Sequence, residues 1–282
     1  MQVRTRSSRY AGLAADDAGR TDTRPPLVLL HGLTFDRTMW RPVLSALDKI
    51  DRGRRVVAID LPGHGESPDA VEYGLEALVE RVHEALEEAE LDAPVVVGHS
   101  AAASTAFLYG VTHPSRGVVA VEGTLRVGAF ADMARSMETA LRGPGFDEAF
   151  GRILANAFRL DEVASGVRDL VVATSKPRQE VVLGYWQALF DLSPDRLDAM
   201  VAKAAAAFRA SGLPYVAVAG HHPSPDERVW IASNMPDMRI EVWPNSGHFP
   251  HLAHPGRFAR LLAETGTWPV PTARPIASGR RS

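Results

Sequence analysis

Residues 95–104 carry the sequence VVVGHSAAAS, and this stretch decides the fold. The β-branched run Val95–Val97 is typical of a strand buried in a parallel sheet, and the small residues that follow lead into a helical segment. A serine at a sharp turn between a strand and a helix is held out as a nucleophile. Such a turn requires small residues two positions away on either side, and Gly98 and Ala102 meet this requirement, although the usual G-x-S-x-G motif ends in glycine. We therefore predict Ser100 as a catalytic nucleophile. The alternative is a glycine-serine turn without chemistry.

Further short apolar runs are continuous rather than alternating, as in strands that are buried on both faces. They are Leu27–Leu30, Val56–Ile59, Val118–Val121 and Tyr215–Val218, with another strand signal at 238–243. Helical segments lie between them, at about 39–47, 75–90 and 101–112. Alternating strands and helices predict an α/β fold with a doubly wound, mostly parallel sheet. Residues 2–9 and 13–15 are expected to add an antiparallel hairpin at its edge.

The alternation of strands and helices stops after Val121. Residues 124–207 are mostly helix formers without a clear strand signal, so we predict a helical cap inserted after the sixth strand. Residues 1–123 and 208–265 then form the core. Residues 266–282, with three prolines and two adjacent arginines, are predicted to be a C-terminal tail.

The composition excludes several classes of protein. The 282 residues are 45% hydrophobic with a net charge of −3, and they include no cysteine, so disulfides and thiolate chemistry are excluded. The chain has no basic block, and we expect neither nucleic acid nor a membrane surface as a partner. Its polar N-terminus lacks the apolar segment of a signal peptide, and no apolar run is long enough to span a bilayer. We expect a soluble cytoplasmic protein, either a monomer or a homodimer.

A serine nucleophile needs a base and two N–H groups to bind the oxyanion. His248 follows the last strand signal in a glycine-bearing loop, and we predict it as the base. The N–H of Ala101, at the start of a helix, is the predicted first oxyanion donor. Leu33, in the loop after the Leu27–Leu30 strand, is the predicted second donor, and Gly32 allows close approach of the substrate.

These residues resemble the α/β-hydrolase superfamily over about residues 20–265. The resemblance rests on four motifs in order: His31-Gly32, the block DLPGHGES at 60–67, the GHS motif at 98–100, and GHFPH at 247–251. It implies the α/β-hydrolase fold and a reaction without a cofactor. The haloalkane dehalogenase branch carries aspartate at the position of Ser100, so a serine here favours acyl chemistry.

The resemblance leaves the third catalytic group, the acid, open. The family's commonest site is the loop after the Tyr215–Val218 strand, where Pro223 replaces the expected aspartate and Asp226 lies about three residues further on. Branches that resemble haloalkane dehalogenases and lactone hydrolases carry the acid one strand earlier, where Glu122 stands. An unpaired carboxylate at the end of a buried strand is costly. We therefore favour Glu122 and keep Asp226 as the alternative.

Aromatic residues near these loops are candidates for binding substrate. Phe35 and Phe249 flank the oxyanion and base loops, and Trp186 and Phe190 lie in the helical insertion, where a role in its core is an equally good interpretation. The histidines also invite a metal hypothesis, with the set His221, His222, His248, His251 and His254. Intervening prolines break the helical spacing and no carboxylate cluster lies nearby in the sequence, so no metal is expected.

The sequence thus predicts a cofactor-free serine hydrolase that cleaves an ester or lactone bond of a small, largely apolar substrate through an acyl-enzyme. One alternative is other chemistry on the same scaffold, by a C–C hydrolase, a lyase or a perhydrolase. The other is a receptor that binds a ligand without catalysis.

Overall fold

A computed structural model describes residues 5–269; residues 2–4 of the predicted hairpin and the predicted tail from residue 270 onward lie outside the described residues. The strands are β1 (Arg6–Tyr10), β2 (Leu13–Ala18), β3 (Leu27–Leu30), β4 (Val56–Ile59), β5 (Val95–His99), β6 (Gly117–Val121), β7 (Tyr215–Ala219) and β8 (Arg239–Val242). They form one sheet in the order β1-β2-β4-β3-β5-β6-β7-β8. The strands from β4 to β8 in this order pair in parallel, and β1 and β2 form the antiparallel edge. The predicted fold class is confirmed.

The helices follow the strands in the expected alternation. They are α1 (Arg41–Ile50), α2 (Leu75–Glu88), α3 (Ala101–Thr112), α4 (Val127–Ser136), α5 (Glu138–Arg142), α6 (Phe146–Phe158), α7 (Ser165–Thr174), α8 (Gln179–Tyr185), α9 (Gln187–Asp191), α10 (Pro194–Ser211), α11 (Pro225–Asn234), α12 (Pro250–Ala253) and α13 (Pro255–Glu264). Short 3₁₀ turns lie at 37–40, 160–162 and 265–267. In the part of the chain that the structure describes, no helix is long and apolar enough to cross a membrane.

Two apolar cores sandwich the sheet because successive strand residues point to opposite faces. Leu27 and Leu29 of β3 pack with α1 and α13 on one face. Val28 and Leu30 pack with α2 and α3 on the other. The continuous apolar runs in the sequence are therefore strands covered on both sides.

The helices α4–α10 lie between β6 and β7 in the chain and have an apolar cluster of their own. Its buried members are Ala134, Leu141, Phe146, Ala149, Phe150, Ile153, Val182 and Trp186. The insertion thus follows the sixth strand, as the fold prediction states. The insertion was predicted to end after residue 207, a position inside α10, which continues to Ser211. The ring of Phe208, near the end of this helix, packs in the core beneath the sheet. This helix therefore joins the insertion to the core.

Hydrogen bonds tie the insertion to two loops of the core. The N–H of Lys176 donates to the carbonyl of Thr34 at 2.7 Å, and the hydroxyl of Tyr185 donates to the carbonyl of Pro62 at 3.1 Å. The loops that bear Thr34 and Pro62 follow β3 and β4, so the insertion closes over the carboxyl ends of the parallel strands.

Candidate active site

Ser100 occupies the turn between β5 and α3 in a conformation rare for a residue with a side chain. Its φ is +54° and its ψ is −122°. Strain of this kind costs about 1–3 kcal/mol and persists only where the surrounding structure enforces it. A side chain at position 98 would collide with the backbone of Ala102, so Gly98 is required by the close approach of strand and helix. The turn therefore presents the hydroxyl of Ser100 at the carboxyl edge of the sheet.

The structure brings Ser100, His248 and Glu122 together from the ends of three elements. His248 Nε2 lies 2.9 Å from the Oγ of Ser100, and His248 Nδ1 lies 3.3 Å from Oε2 of Glu122. The side chains of His248 and Glu122 are 14% and 18% exposed. The second oxygen of Glu122 accepts a hydrogen bond from the N–H of Gly220. This bond orients the carboxylate toward the imidazole.

The alternative acid lies elsewhere. Asp226 is exposed in the first turn of α11. That turn begins with a capping box in which the side chains of Ser224 and Glu227 bond each other's backbone N–H groups. The structure thus brings Glu122, and not Asp226, to the imidazole of His248.

The loop after β3 presents one predicted oxyanion donor, Leu33, and the start of α3 presents the other, Ala101. The N–H groups of Thr34 and Phe35 are occupied by bonds of 3.1 Å to His64 Nε2 and to the carbonyl of Gly32. Within the described residues, no acceptor takes the N–H of Leu33 or of Ala101. Both groups are thus available to an oxygen of a substrate.

Gly32 allows this loop to lie against the nucleophile. A Cβ at this position would stand 2.6 Å from Nδ1 of His99 and 3.2 Å from the Cβ of Ser100. Any larger residue would therefore displace the oxyanion loop or the turn that carries the serine.

Two neutral histidines hold the oxyanion loop in place. His31 Nε2 accepts the N–H of Leu61 at 2.9 Å, so its Nδ1 carries the proton and donates to the carbonyl of Gly32. His64 accepts from Thr34 and donates through Nδ1 to the carbonyl of Pro62. Burial lowers the pKa of His31 to about 4 and that of His64 to about 3. The sequence analysis assigned no role to His64, although it stands in the DLPGHGES block.

Of the remaining histidines, His99 and His251 lie together, with ring centroids 4.7 Å apart. His99 is buried, its Nε2 lies 2.9 Å from the carbonyl oxygen of His248, and burial holds its pKa well below the usual range. His251 packs on the ring of Trp40 with centroids 4.7 Å apart, and burial lowers its pKa to about 3. His221 pairs with Glu162 at 3.1 Å. Among residues 5–269, no group of three or more histidine or acidic side chains could hold a metal ion.

A ring that the sequence analysis missed packs on the base. Phe158, at the end of α6, stacks on His248 with centroids 5.7 Å apart, and its carbonyl accepts the N–H of His248 at 3.1 Å. No motif marks this residue, because it lies in the insertion. The predicted substrate residues Phe35 and Phe249 are both buried and pack on Phe158 at 5.6 and 5.0 Å, so they form an aromatic floor beneath the imidazole.

The other two predicted substrate residues lie in the insertion. Trp186 is buried against Phe130 and Phe150, with centroids 5.2 and 5.5 Å away. Phe190 is half-buried beneath the guanidinium of Arg142, which lies 4.9 Å from the ring. Trp186 and Phe190 thus pack within the insertion, which is the interpretation that the sequence left as an equal alternative to substrate binding.

Comparisons with known proteins agree with this fold. Residues 27–261 match the model of the alpha/beta hydrolase family. The chain is 26% identical over 251 residues to the sn-1-specific diacylglycerol lipase ABHD11 of Mus musculus, which covers 84% of this chain and 79% of the lipase. A hydrolase from Pseudomonas aeruginosa PA01 has a similar structure, with a TM-score of 0.70 at 20% identity over 93% of this chain and 97% of that one. The enol-lactonase from Burkholderia xenovorans LB400 follows with a TM-score of 0.67 at 19% identity, over 92% and 99% of the two chains.

Proposed function

Since the chain belongs to the alpha/beta hydrolase family and is a hydrolase of that type, we propose that it is a cofactor-free serine hydrolase. Its substrate is a small, largely apolar ester or lactone, and the reaction passes through an acyl-enzyme. The hydrogen-bonded series from Ser100 through His248 to Glu122 carries this proposal. The mouse relative is a diacylglycerol lipase, and this activity agrees with cleavage of a carboxylic ester.

The geometry supports one direction of proton transfer. Glu122 accepts the Nδ1–H of His248, so the lone pair on Nε2 faces the hydroxyl of Ser100, 2.9 Å away. As Ser100 Oγ attacks the substrate carbonyl, its proton passes to Nε2, and Glu122 stabilises the imidazolium. The negative charge forms on the former carbonyl oxygen, where the N–H groups of Leu33 and Ala101 bind it.

In the following steps His248 gives up the proton that it took from Ser100, and the acyl-enzyme forms and is hydrolysed. The tetrahedral intermediate collapses, the C–O bond to the alcohol breaks, and the Nε2 proton passes to the leaving oxygen. A water molecule then gives a proton to His248 and attacks the acyl carbon. The bond from this carbon to Ser100 Oγ breaks, and His248 returns the proton to Oγ, which releases the acid and restores Ser100. In a lactone the leaving oxygen stays attached to the acyl group, so ring opening and hydrolysis give one hydroxy acid.

The insertion supports a small, apolar substrate. The side chain of Leu33 packs against the apolar cluster of the insertion. This cluster therefore lies directly beside the proposed oxyanion donor, which is the backbone N–H of the same residue. The insertion is also bonded to the loops after β3 and β4. A polar or polymeric substrate would have to displace these contacts, whereas a compact apolar acyl group would extend them.

The proposal is tested by labelling and by kinetics with the same variants. A fluorophosphonate should add one adduct to the wild-type protein, and peptide mass spectrometry should place it on Ser100. Ser100→Ala should remove the adduct and lower kcat for p-nitrophenyl butyrate by at least about 10³-fold. Ser104→Ala, one turn along α3, is the matched control and should keep both. Full turnover by Ser100→Ala would refute the proposal.

Product analysis separates esters from lactones and from the alternative chemistries. A panel of p-nitrophenyl esters and of five- and six-membered lactones should yield acids and hydroxy acids. A carbon–carbon cleavage product or a peracid would replace the proposed reaction by another on the same scaffold. Binding without turnover across the panel would instead favour a receptor.

A further inference from the structure

Helix α11 covers the sheet incompletely. None of the residues of α11, Pro225–Asn234, is buried. Beneath it, Ala217 and Ala219 remain half-buried although their strand, β7, lies between two others. A cavity of about 330 Å³ separates the helix from the sheet. We call it the α11 cavity, and its volume lies in the lower part of the range of small-molecule sites, roughly 300–1,000 Å³.

The inner wall of the α11 cavity is apolar. Its half-buried hydrophobic side chains come from β7, α11, the loop after β6, and β8 with the residue before it: Leu125, Ala217, Ala219, Trp230, Ile231, Met238 and Ile240. A surface helix normally buries such residues against the sheet. Here they face a common space, which an apolar ligand would fill and thereby remove from water.

The rim of the same cavity carries two arginines and two histidines. Arg126, Arg159, His221 and His222 line it. The Nε–H of Arg126 is buried without a hydrogen-bond partner in the described part of the chain, and its Nη2 lies a loose 3.6 Å from Asp198. Arg159 is exposed, and none of the ion pairs among residues 5–269 includes it. A buried donor without an acceptor costs about 1–3 kcal/mol, so a ligand oxygen here would be stabilising.

The acidic residues on the wall are already engaged. Glu122 bonds Gly220 and His248, and Glu227 bonds the backbone of Ser224 and the hydroxyl of Thr124. The unsatisfied charge at the cavity is therefore positive. This selects an anion rather than a cation.

We propose that the α11 cavity binds an amphipathic monocarboxylate, such as a medium-chain fatty acid. The carboxylate lies between Arg126 and Arg159, where guanidinium groups form charge-assisted hydrogen bonds. The apolar chain lies between Trp230 and the alanines of β7. This site adjoins the proposed catalytic residues without including the nucleophile or the base: Glu122 lines it, whereas Ser100 and His248 do not.

Calorimetric titration with sodium octanoate tests the site independently of catalysis. The Ser100→Ala protein serves as the host, so that a failure of the proposed hydrolysis has no bearing on the result. Octanoate should bind with 1:1 stoichiometry. Octanol, which has the chain without the charge, should bind at least about 10-fold more weakly, a difference of roughly 1.4 kcal/mol.

Variants in the Ser100→Ala host locate the ligand. Ala217→Phe should fill the cavity and abolish binding. Replacing both Arg126 and Arg159 by Gln should weaken binding at least about 10-fold. Arg152→Gln, an exposed arginine of α6 paired with Glu148, is the matched control and should bind as the host does.

Three results would overturn the proposal. They are no binding of octanoate, equal affinity for octanol, and unchanged affinity in the double arginine variant. If Ala217→Phe fails to fold, the arginine variant still decides the question, because both of its positions lie at the partly exposed rim.

Discussion

The backbone N–H of Ser100 donates a 2.8 Å hydrogen bond to the carbonyl oxygen of Val121, the residue before Glu122. The N–H of Glu122 in turn donates to the carbonyl of Val218 at 2.9 Å. The backbone hydrogen bonds that join β5, β6 and β7 thus continue past the ends of the strands to Ser100 and Glu122. Neighbouring strands lie about 4.8 Å apart, so one imidazole can span the side chains at two adjacent ends. The sheet itself therefore sets the distance between serine and carboxylate.

The identity of the acid is tested by comparing two amide substitutions. Glu122→Gln should lower kcat by about 10²–10⁴-fold, because an amide no longer holds the imidazole in the Nδ1–H tautomer. Asp226→Asn should change kcat by less than about twofold, since this side chain is exposed and the base pairs with Glu122 instead. Both are measured with p-nitrophenyl butyrate. The opposite order of effects would transfer the role of the acid to Asp226.

The closeness of the oxyanion loop to the nucleophile predicts the effect of one added methyl group. Gly32→Ala should lower kcat/KM by about 10²-fold or more, because its Cβ would push the loop or the serine out of place. Gly151→Ala is the control, since position 151 in α6 has open space around it. The control should keep full activity and gain about 0.5–1 kcal/mol of stability. Wild-type kinetics in Gly32→Ala would show that the loop has room to adjust.

A buried ion-pair network stabilises the loop after β4. Arg37 is bonded to Asp60, to Asp16 at 3.0 Å and to Glu66 at 2.8 Å. Asp60 is fully buried, so Asp60→Ala leaves an uncompensated charge and should cost about 3–5 kcal/mol in the free energy of unfolding. Glu66 is 63% exposed, and Glu66→Ala should cost less than about 1 kcal/mol. Urea denaturation measures both, and equal costs would contradict the assignment.

The buried histidines predict loss of stability in acid. Burial lowers the pKa of His31 to about 4 and that of His64 to about 3, against about 6.5 in an unfolded chain. Between these values the unfolded state binds more protons, so the free energy of unfolding falls as the pH falls below about 6.5. Each group should remove about 2 kcal/mol between pH 7 and pH 5.

His64→Gln isolates the contribution of one histidine. The amide oxygen still accepts the N–H of Thr34 but does not titrate in this range. Urea denaturation at pH 7 and pH 5 should give a difference that is about 2 kcal/mol smaller than in the wild type. An unchanged difference would mean that His64 is protonated in the folded protein at pH 5.

The sheet and the order of the candidate catalytic residues along the chain were predictable, because their sequence signals are local. Runs such as Val95–Val97 show burial on both faces, and the small residues around Ser100 show the turn. The end of the insertion was not predictable, because α10 is held by contacts of Phe208 with a distant core. The sequence also left two acids open, since the reach of the loop bearing His248 depends on the packed sheet.

The α11 cavity lay beyond sequence analysis for a similar reason. Ala217 and Ala219 look like ordinary strand residues in the sequence. Only the packed structure shows that these alanines and Trp230 line one cavity. A cavity formed by segments distant in sequence has no local signature in a chain.

The position of Glu122 at the end of β6 has a consequence for how this protein can change. In the proposed triad the segment 221–223 between β7 and α11 supplies no carboxylate, and it forms part of the rim of the α11 cavity. Insertions, deletions and substitutions there should alter ligand preference while the reacting geometry stays intact. This segment should therefore tolerate sequence changes, both in natural variation and in laboratory evolution, although it lies beside the proposed catalytic residues. New ligand preferences should arise there without loss of turnover.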